Sequence, residues 1–177
     1  MAGSLLTTAD FAGLSVLIHG GAGGVGHFAI QFAKAKGAWV AMTVSASNKD
    51  FVSDLGADQV IDHRSEKFED LVETVDLVFD LIGGETQERS FSVIKPGGAL
   101  ISTLQEPDKG RAADRNIRGR RCTAQPNGAQ LREIANLIDQ ARKGRRRKHL
   151  SAREVAEAQA ALKDKDLRGK VVLKILR

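Results

Sequence analysis

Gly21-Ala22-Gly23-Gly24-Val25-Gly26 spaces its glycines as G-x-G-x-x-G. Such a run is weak evidence alone, because glycine-rich turns are common. Here it directly follows an apolar run, Ser15 to His19, and opens a stretch with helical spacing. That context is the one a dinucleotide-binding turn requires. Gly21 permits a tight turn, Gly23 lets the backbone approach a pyrophosphate, and Gly26 lets helix and strand pack closely. A helix beginning there offers amide N–H groups without carbonyl partners and a partial positive charge. The alternative is a strand-to-helix turn with no ligand. A phosphate loop of the Gly-Lys-Ser/Thr type is disfavoured, since no such triplet follows.

A second polar stretch reads Thr43-Val44-Ser45-Ala46-Ser47-Asn48-Lys49. It lies about 20 residues past the turn, where an acidic residue would bind a ribose 2′-hydroxyl. No carboxylate occurs until Asp50, inside the next expected helix. Hydroxyls, an amide and one lysine suit a 2′-phosphate instead, which favours NADPH over NADH. Ser47 or Asn48 can also serve as helix caps, and the two roles are compatible. Arg64, after the third strand, offers a further charge, or is simply an exposed loop arginine.

The remaining inventory excludes several chemistries. The chain has 177 residues and no tyrosine, so a tyrosine acid is ruled out. One cysteine, Cys122, excludes a disulfide framework and a cysteine-rich zinc cluster and fits a reducing, cytoplasmic compartment. No metal site and no catalytic acid or base stands out; His19 and His27 flank the turn and read as structural. No apolar run approaches the roughly 18 residues of a membrane span. The opening residues lack the features of a signal peptide.

Charge is unevenly spread. Residues 1–104 carry 7 Lys/Arg against 13 Asp/Glu, a net −6, whereas 105–177 carry 20 against 9, a net +11. The densest run, Arg142 to His149, reads as a solvated basic loop. Nucleic acid is an unlikely partner, because no aromatic residues interleave with the charges to stack bases.

These residues need elements to hold them. Strands are expected at 15–19, 39–44, 59–61, 76–82 and 99–104. Helices are expected at 24–36, 49–55, 68–75 and 85–94. This alternation implies an α/β, three-layer Rossmann fold: a parallel sheet of about six strands with helices on both faces. The strands read as apolar runs, as they do when both sheet faces are covered. Residues 105–121 read as a loop, 121–124 as a sixth strand, and 129–141 as an amphipathic helix with Leu131, Ile134, Ala135, Leu137 and Ile138 inward. A helix at 151–162, opened by a Ser151–Glu154 capping box, and a strand at 170–176 complete one domain over 1–177.

The stretch Val16 to Ala29 resembles the coenzyme loop of the quinone oxidoreductase branch of the medium-chain dehydrogenases/reductases. Leu55-Gly56-Ala57-Asp58-Gln59-Val60-Ile61-Asp62, Val75 to Asp80, Gly83-Gly84-Glu85-Thr86, Lys95-Pro96-Gly97-Gly98 and Arg168 to Leu173 agree in order and spacing. The resemblance covers 12–104 strongly, 122–141 and 151–176 less so, and 105–121 and 142–150 poorly. It implies a nicotinamide dinucleotide bound at Gly23, Gly24 and Val25, with Ser45, Ser47, Asn48 and Lys49 at the adenosine ribose. It further places His63 against the adenine, and Leu81, Ile82, Gly83, Thr103 and Leu104 near the nicotinamide. The family transfers hydride to a quinone or an activated alkene, such as an enone, and often dimerises through a sheet edge. Its members carry a GroES-like catalytic domain ahead of this one, so an isolated or engineered chain of this extent would show weak or no turnover alone. A nicotinamide-binding module without turnover, a designed scaffold and a nucleic-acid binder are the competing expectations.

Overall fold

The computed structural model describes residues 11–141, 147–151, 155–163 and 170–174. Six parallel strands form one sheet: β1 (Ser15–His19), β2 (Trp39–Val44), β3 (Gln59–Asp62), β4 (Val75–Asp80), β5 (Ile94–Ser102) and β6 (Arg118–Arg121). Their order, β3-β2-β1-β4-β5-β6, reverses direction between β1 and β4. The reversal opens a crevice at the carboxyl ends of the strands, where open α/β sheets bind ligands. Register aligns the strand ends, pairing His19 with Thr43, His19 with Asp80, Val44 with Asp62 and Asp80 with Ser102.

The sheet separates two apolar cores. Val16, Ile18, Val40 and Met42 pack with Ala29, Ile30 and Ala33 of α1 (Gly26–Ala35) and Val52 of α2 (Lys49–Asp54). On the opposite face Leu17, Ala41, Val78 and Leu100 pack with Phe68 of α3 (Phe68–Leu71). Phe91 and Val93, which follow α4 (Gly84–Ser90), and Ala112 of α5 (Lys109–Asp114) join that core. Alternate residues of β1 thus serve alternate faces, which explains its unbroken apolar run. The described residues therefore form the three-layer α/β arrangement expected.

Several expected boundaries move. Residues 105–121, read as a loop, hold α5 and β6. Asp108 opens α5 by accepting from the Arg111 amide at 2.8 Å. The sixth strand begins at Arg118 rather than Arg121, and all four of its residues are exposed. An arginine-rich strand hides its apolar period, and its like charges oppose edge-to-edge pairing. The helix expected at 68–75 stops at Leu71, and Pro96-Gly97-Gly98 lies inside β5, where the register with β4 shifts.

In α6 (Gly128–Ala141) Ile134 is half-buried, but Leu131 and Ala135, expected inward, are exposed; Leu137 and Ile138 lie outside the described side chains. α6 rests against α1, which cannot cover its whole apolar stripe. Ser151, expected to cap a helix, ends β7 (Arg147–Ser151), so the basic run is partly strand. β7 pairs in parallel with β8 (Lys170–Lys174) across α7 (Val155–Lys163). Glu154 of the expected capping box lies outside the described residues, as do Arg142 to Arg146.

Candidate functional site

The turn between β1 and α1 is built from backbone. A Cβ at Gly26 would lie 2.5 Å from the Gly20 carbonyl oxygen and 2.7 Å from Gly21 Cα, so only glycine fits. A Cβ at Gly23 would meet just the Gly20 oxygen, at 3.4 Å. Space therefore remains above Gly23 for a ligand to touch the main chain. His27 Nδ1 donates to the Gly23 oxygen at 2.8 Å and steadies the turn. The amides of Gly24, Val25 and Gly26 donate to no backbone carbonyl among the described residues. They are unspent donors at the start of a ten-residue helix, where the dipole favours an anion. Gly21 faces the core instead: its Cβ would strike Met42 Cε at 2.0 Å.

A cavity of about 470 Å³ runs from this turn along the strand ends. Of the residues expected to bind a cofactor, Ala22, Gly23, Gly24, Val25, Gly26, Thr43, Ser45, Asn48, His63, Leu81, Ile82 and Thr103 line it. Gly21, Ser47, Lys49, Arg64, Gly83 and Leu104 do not. Ser47 Oγ lies 3.1 Å from Ser45 Oγ, one step behind the wall. Lys49 is turned to Glu66 at 3.0 Å. Arg64 is exposed, with its amide donating to Asp62 Oδ1. Asn48 makes no side-chain cap to α2; its amide donates to Ser45 Oγ at 3.0 Å and holds that hydroxyl at the wall.

Gly83 is buried and follows Ile82, which lines the cavity. Its φ of +74° favours glycine, and it turns the chain out of β4 into α4. The fully buried Asp80 carboxylate organises this turn. Its Oδ1 accepts from the Ile82 amide at 2.9 Å and the Gly83 amide at 2.8 Å. Its Oδ2 accepts from Ser102 Oγ at 2.8 Å and Gln87 Nε2 at 3.0 Å. Burial pushes this carboxyl upward, but the Gly83 and Ile82 amides, Ser102 and Gln87 outweigh it and hold it below its ordinary value. Ile82, which lines the cavity, is exposed at 52%, and Leu104, outside the lining, at 51%.

His19, at the end of β1, is fully buried and also lines the cavity. Burial outweighs the attraction of Asp80 and Glu69 and lowers its pKa to about 4, so it is neutral near pH 7. Ser90 Oγ donates to the Thr86 oxygen at 2.6 Å and must therefore accept from His19 Nε2, 3.0 Å away. Nδ1 then carries no proton and accepts from Thr43 Oγ at 2.9 Å. His19 thus fixes the Thr43 hydroxyl proton, leaving that oxygen only acceptor capacity toward a ligand.

Glu66, Phe68, Thr86 and Arg89 line the cavity without having been singled out in the sequence. Phe68 packs edge-on against His19, with ring centroids 4.7 Å apart. The Arg89 guanidinium lies 5.0 Å over that ring and forms a two-pronged pair with Glu69. Glu66 comes from the turn after β3. Its Oε2 accepts from the Asp62 amide at 2.6 Å and from Lys49 Nζ at 3.0 Å. These two contacts, the Asp62 amide first, hold its carboxyl below the usual value. The β2 segment carries no carboxylate before Asp50, yet the fold delivers one, Glu66, to the cavity from the turn after β3.

The pattern of the zinc-binding dehydrogenases matches residues 55–173. The chain belongs to this family. It is 48% identical over 96 residues to NAD(P)H oxidoreductase RTN4IP1, mitochondrial, of Danio rerio, spanning 52% of this chain and 25% of that protein. It is 44% identical over 100 residues to an NADPH-dependent alkenal/one oxidoreductase, chloroplastic, of Arabidopsis thaliana, spanning 55% of this chain and 25% of that one. The quinone oxidoreductase of Coxiella burnetii superposes with a TM-score of 0.88 at 32% identity, over 99% of this chain and 57% of that one. The chain thus spans a quarter of the two relatives and little more than half of the solved structure. Within the family the fold is that of its nucleotide-binding Rossmann domain. The described residues do not fit a zinc site, since no three His, Cys, Asp or Glu side chains gather among them. No described helix is long and apolar enough to cross a membrane.

Proposed function

We propose that the chain binds a nicotinamide dinucleotide along the cavity, NADPH in preference to NADH, within an enzyme that reduces a quinone or an enone-like alkene. The observation carrying this reading is the opening of α1, where unspent amides stand beside a glycine whose missing side chain leaves the main chain open. Gly24, Val25 and Gly26 would donate to the pyrophosphate, whose charge the helix dipole favours. Thr43, Ser45, Asn48 and His63 would meet the adenosine end, with Lys49 and Arg64 following them in sequence as candidate partners of a 2′-phosphate. Leu81, Ile82 and Thr103 would flank the nicotinamide end. The proposed substrate class has support in similarity to an alkenal/one oxidoreductase and a quinone oxidoreductase.

A bound nicotinamide supplies the hydride. The residues described here bind, orient and exclude water. His19 is assigned no acid–base step, because both its ring nitrogens are engaged and it is neutral. The test is a calorimetric titration with NADPH and NADH at two salt concentrations. Micromolar NADPH binding with weaker NADH supports the reading, and failure of both to bind refutes it. Quinone-dependent oxidation of bound NADPH then separates turnover from binding alone.

A further inference from the structure

Resting on the cofactor reading above, we infer that Glu66 is a specificity-determining residue. It opposes Lys49 and limits how strongly the adenosine end of the cavity prefers a 2′-phosphate to a 2′-hydroxyl. Glu66 lines the cavity with Ser45, Asn48 and His63, whereas Lys49 does not. Two features make the pair asymmetric. The carboxylate is anchored to the main chain by the Asp62 amide at 2.6 Å. The ammonium sits on a flexible stem and is held by Glu66 at 3.0 Å, with side-chain exposures of 36% for Lys49 and 38% for Glu66. A pair so open to water is weak and readily exchanged.

A 2′-phosphate can therefore draw the ammonium away, but it leaves a fixed carboxylate beside a dianion. A 2′-hydroxyl meets the opposite situation, since it can donate to that carboxylate without disturbing the pair. Thr43 adds to the same bias. Its hydroxyl proton is committed to His19, so it can accept from a hydroxyl but cannot donate to a phosphate. The Lys49–Glu66 pair thus sets a movable cation against a fixed anion. Asp62, the neighbouring carboxylate, is turned toward the Arg64 amide and Ser65 Oγ.

The experiment measures the affinities of NADPH, NADH, 2′,5′-ADP and 5′-AMP by calorimetry at constant ionic strength. It compares the unaltered chain with Glu66→Gln and Lys49→Gln, each checked for an intact thermal transition. Glutamine at 66 keeps an oxygen for the Asp62 amide while removing the charge. Removing one unit of repulsion at a solvent-exposed site is expected to raise the NADPH/NADH preference about fivefold. The 2′,5′-ADP/5′-AMP preference should rise alongside it. Lys49→Gln should lower both preferences. If Glu66→Gln binds all the ligands with unchanged preference, the inference is overturned while the cofactor reading stands. If Glu66→Gln does not fold, an unchanged preference in Lys49→Gln overturns it equally. If the unaltered chain binds none of the four ligands, the cofactor reading fails and this inference with it.

Discussion

Two alanine substitutions, three residues apart, should separate binding from folding. At Gly26 the new methyl would lie 2.5 Å from one backbone oxygen and 2.7 Å from another backbone oxygen and a Cα. No side chain can rotate away, because every clashing atom is main chain. Such overpacking costs about 3 kcal/mol. For a chain of this size the melting temperature should fall by roughly 6–12 °C. At Gly23 the methyl meets only the Gly20 oxygen, at ordinary contact distance. Gly23 is also not among the glycines with positive φ. Gly23→Ala should therefore leave folding intact, and the stiffer unfolded chain gives a gain of up to about 1 kcal/mol. The same methyl stands where a pyrophosphate would approach the main chain. Losing even one hydrogen bond to a charged group costs about 1.5–3 kcal/mol, or roughly ten- to a hundredfold in affinity. The assay is scanning calorimetry paired with NADPH titration. Unchanged NADPH affinity in Gly23→Ala would show that no phosphate passes this point. A Gly26→Ala protein melting like the parent would refute the steric argument.

Other consequences follow from buried polar groups. His19 binds its proton only near pH 4 when folded, against about 6.5 when unfolded. The unfolded state therefore takes up the extra proton, and stability should decline from about pH 6.5 down to 4. The slope should approach about 1.4 kcal/mol per pH unit; His19→Asn should flatten this part of a denaturation series. Asp76 is held near pKa 2, with burial opposed by the Ser15 amide and hydroxyl and by Lys95. Its folded pKa is depressed, so its contribution, on the order of 2 kcal/mol, is present above about pH 4 and lost as pH falls toward 2. In Asp76→Asn that acid-limb loss should vanish in urea titrations. Asp80→Ala leaves the Ile82 and Gly83 amides without their acceptor. A loss of about 3 kcal/mol in chemical denaturation is expected, with weakened dinucleotide binding at the nicotinamide end.

How much of this was legible in the sequence depends on the kind of signal each part carries. The first five strands declare themselves through apolar runs covered on both faces, although β5 begins earlier than its run, at Ile94, ahead of Pro96-Gly97-Gly98. The β1–α1 turn is legible because it is local: three glycines and a following helix specify it without reference to any distant residue. β6 was misplaced because Arg118-Gly119-Arg120-Arg121 has no apolar period. Only its register against Ala99 to Ser102 reveals it as a strand. Lys49 illustrates the opposite limit. Its spacing from the turn points to the adenosine end, but its electrostatic neighbourhood depends on Glu66, which lies 17 residues further on.

The same limit explains why His19, read as a structural residue beside the turn, turns out to govern a wall of the cavity. Its tautomer follows from Ser90, 71 residues away, whose own proton is spent on Thr86. Sequence spacing can place a hydroxyl such as Thr43 at a strand end, but it cannot say whether that hydroxyl donates or accepts. That polarity is a property of the hydrogen-bond chain from Thr86 through Ser90 and His19 to Thr43, which links α4, β1 and β2. A ligand would sense it directly: an anion needs donors, and a ribose hydroxyl can use the acceptor that remains. Motif residues thus set where a dinucleotide would lie. The buried partners behind them, His19 and Asp80 together with Glu66 at the rim, set which hydrogen bonds that place can offer.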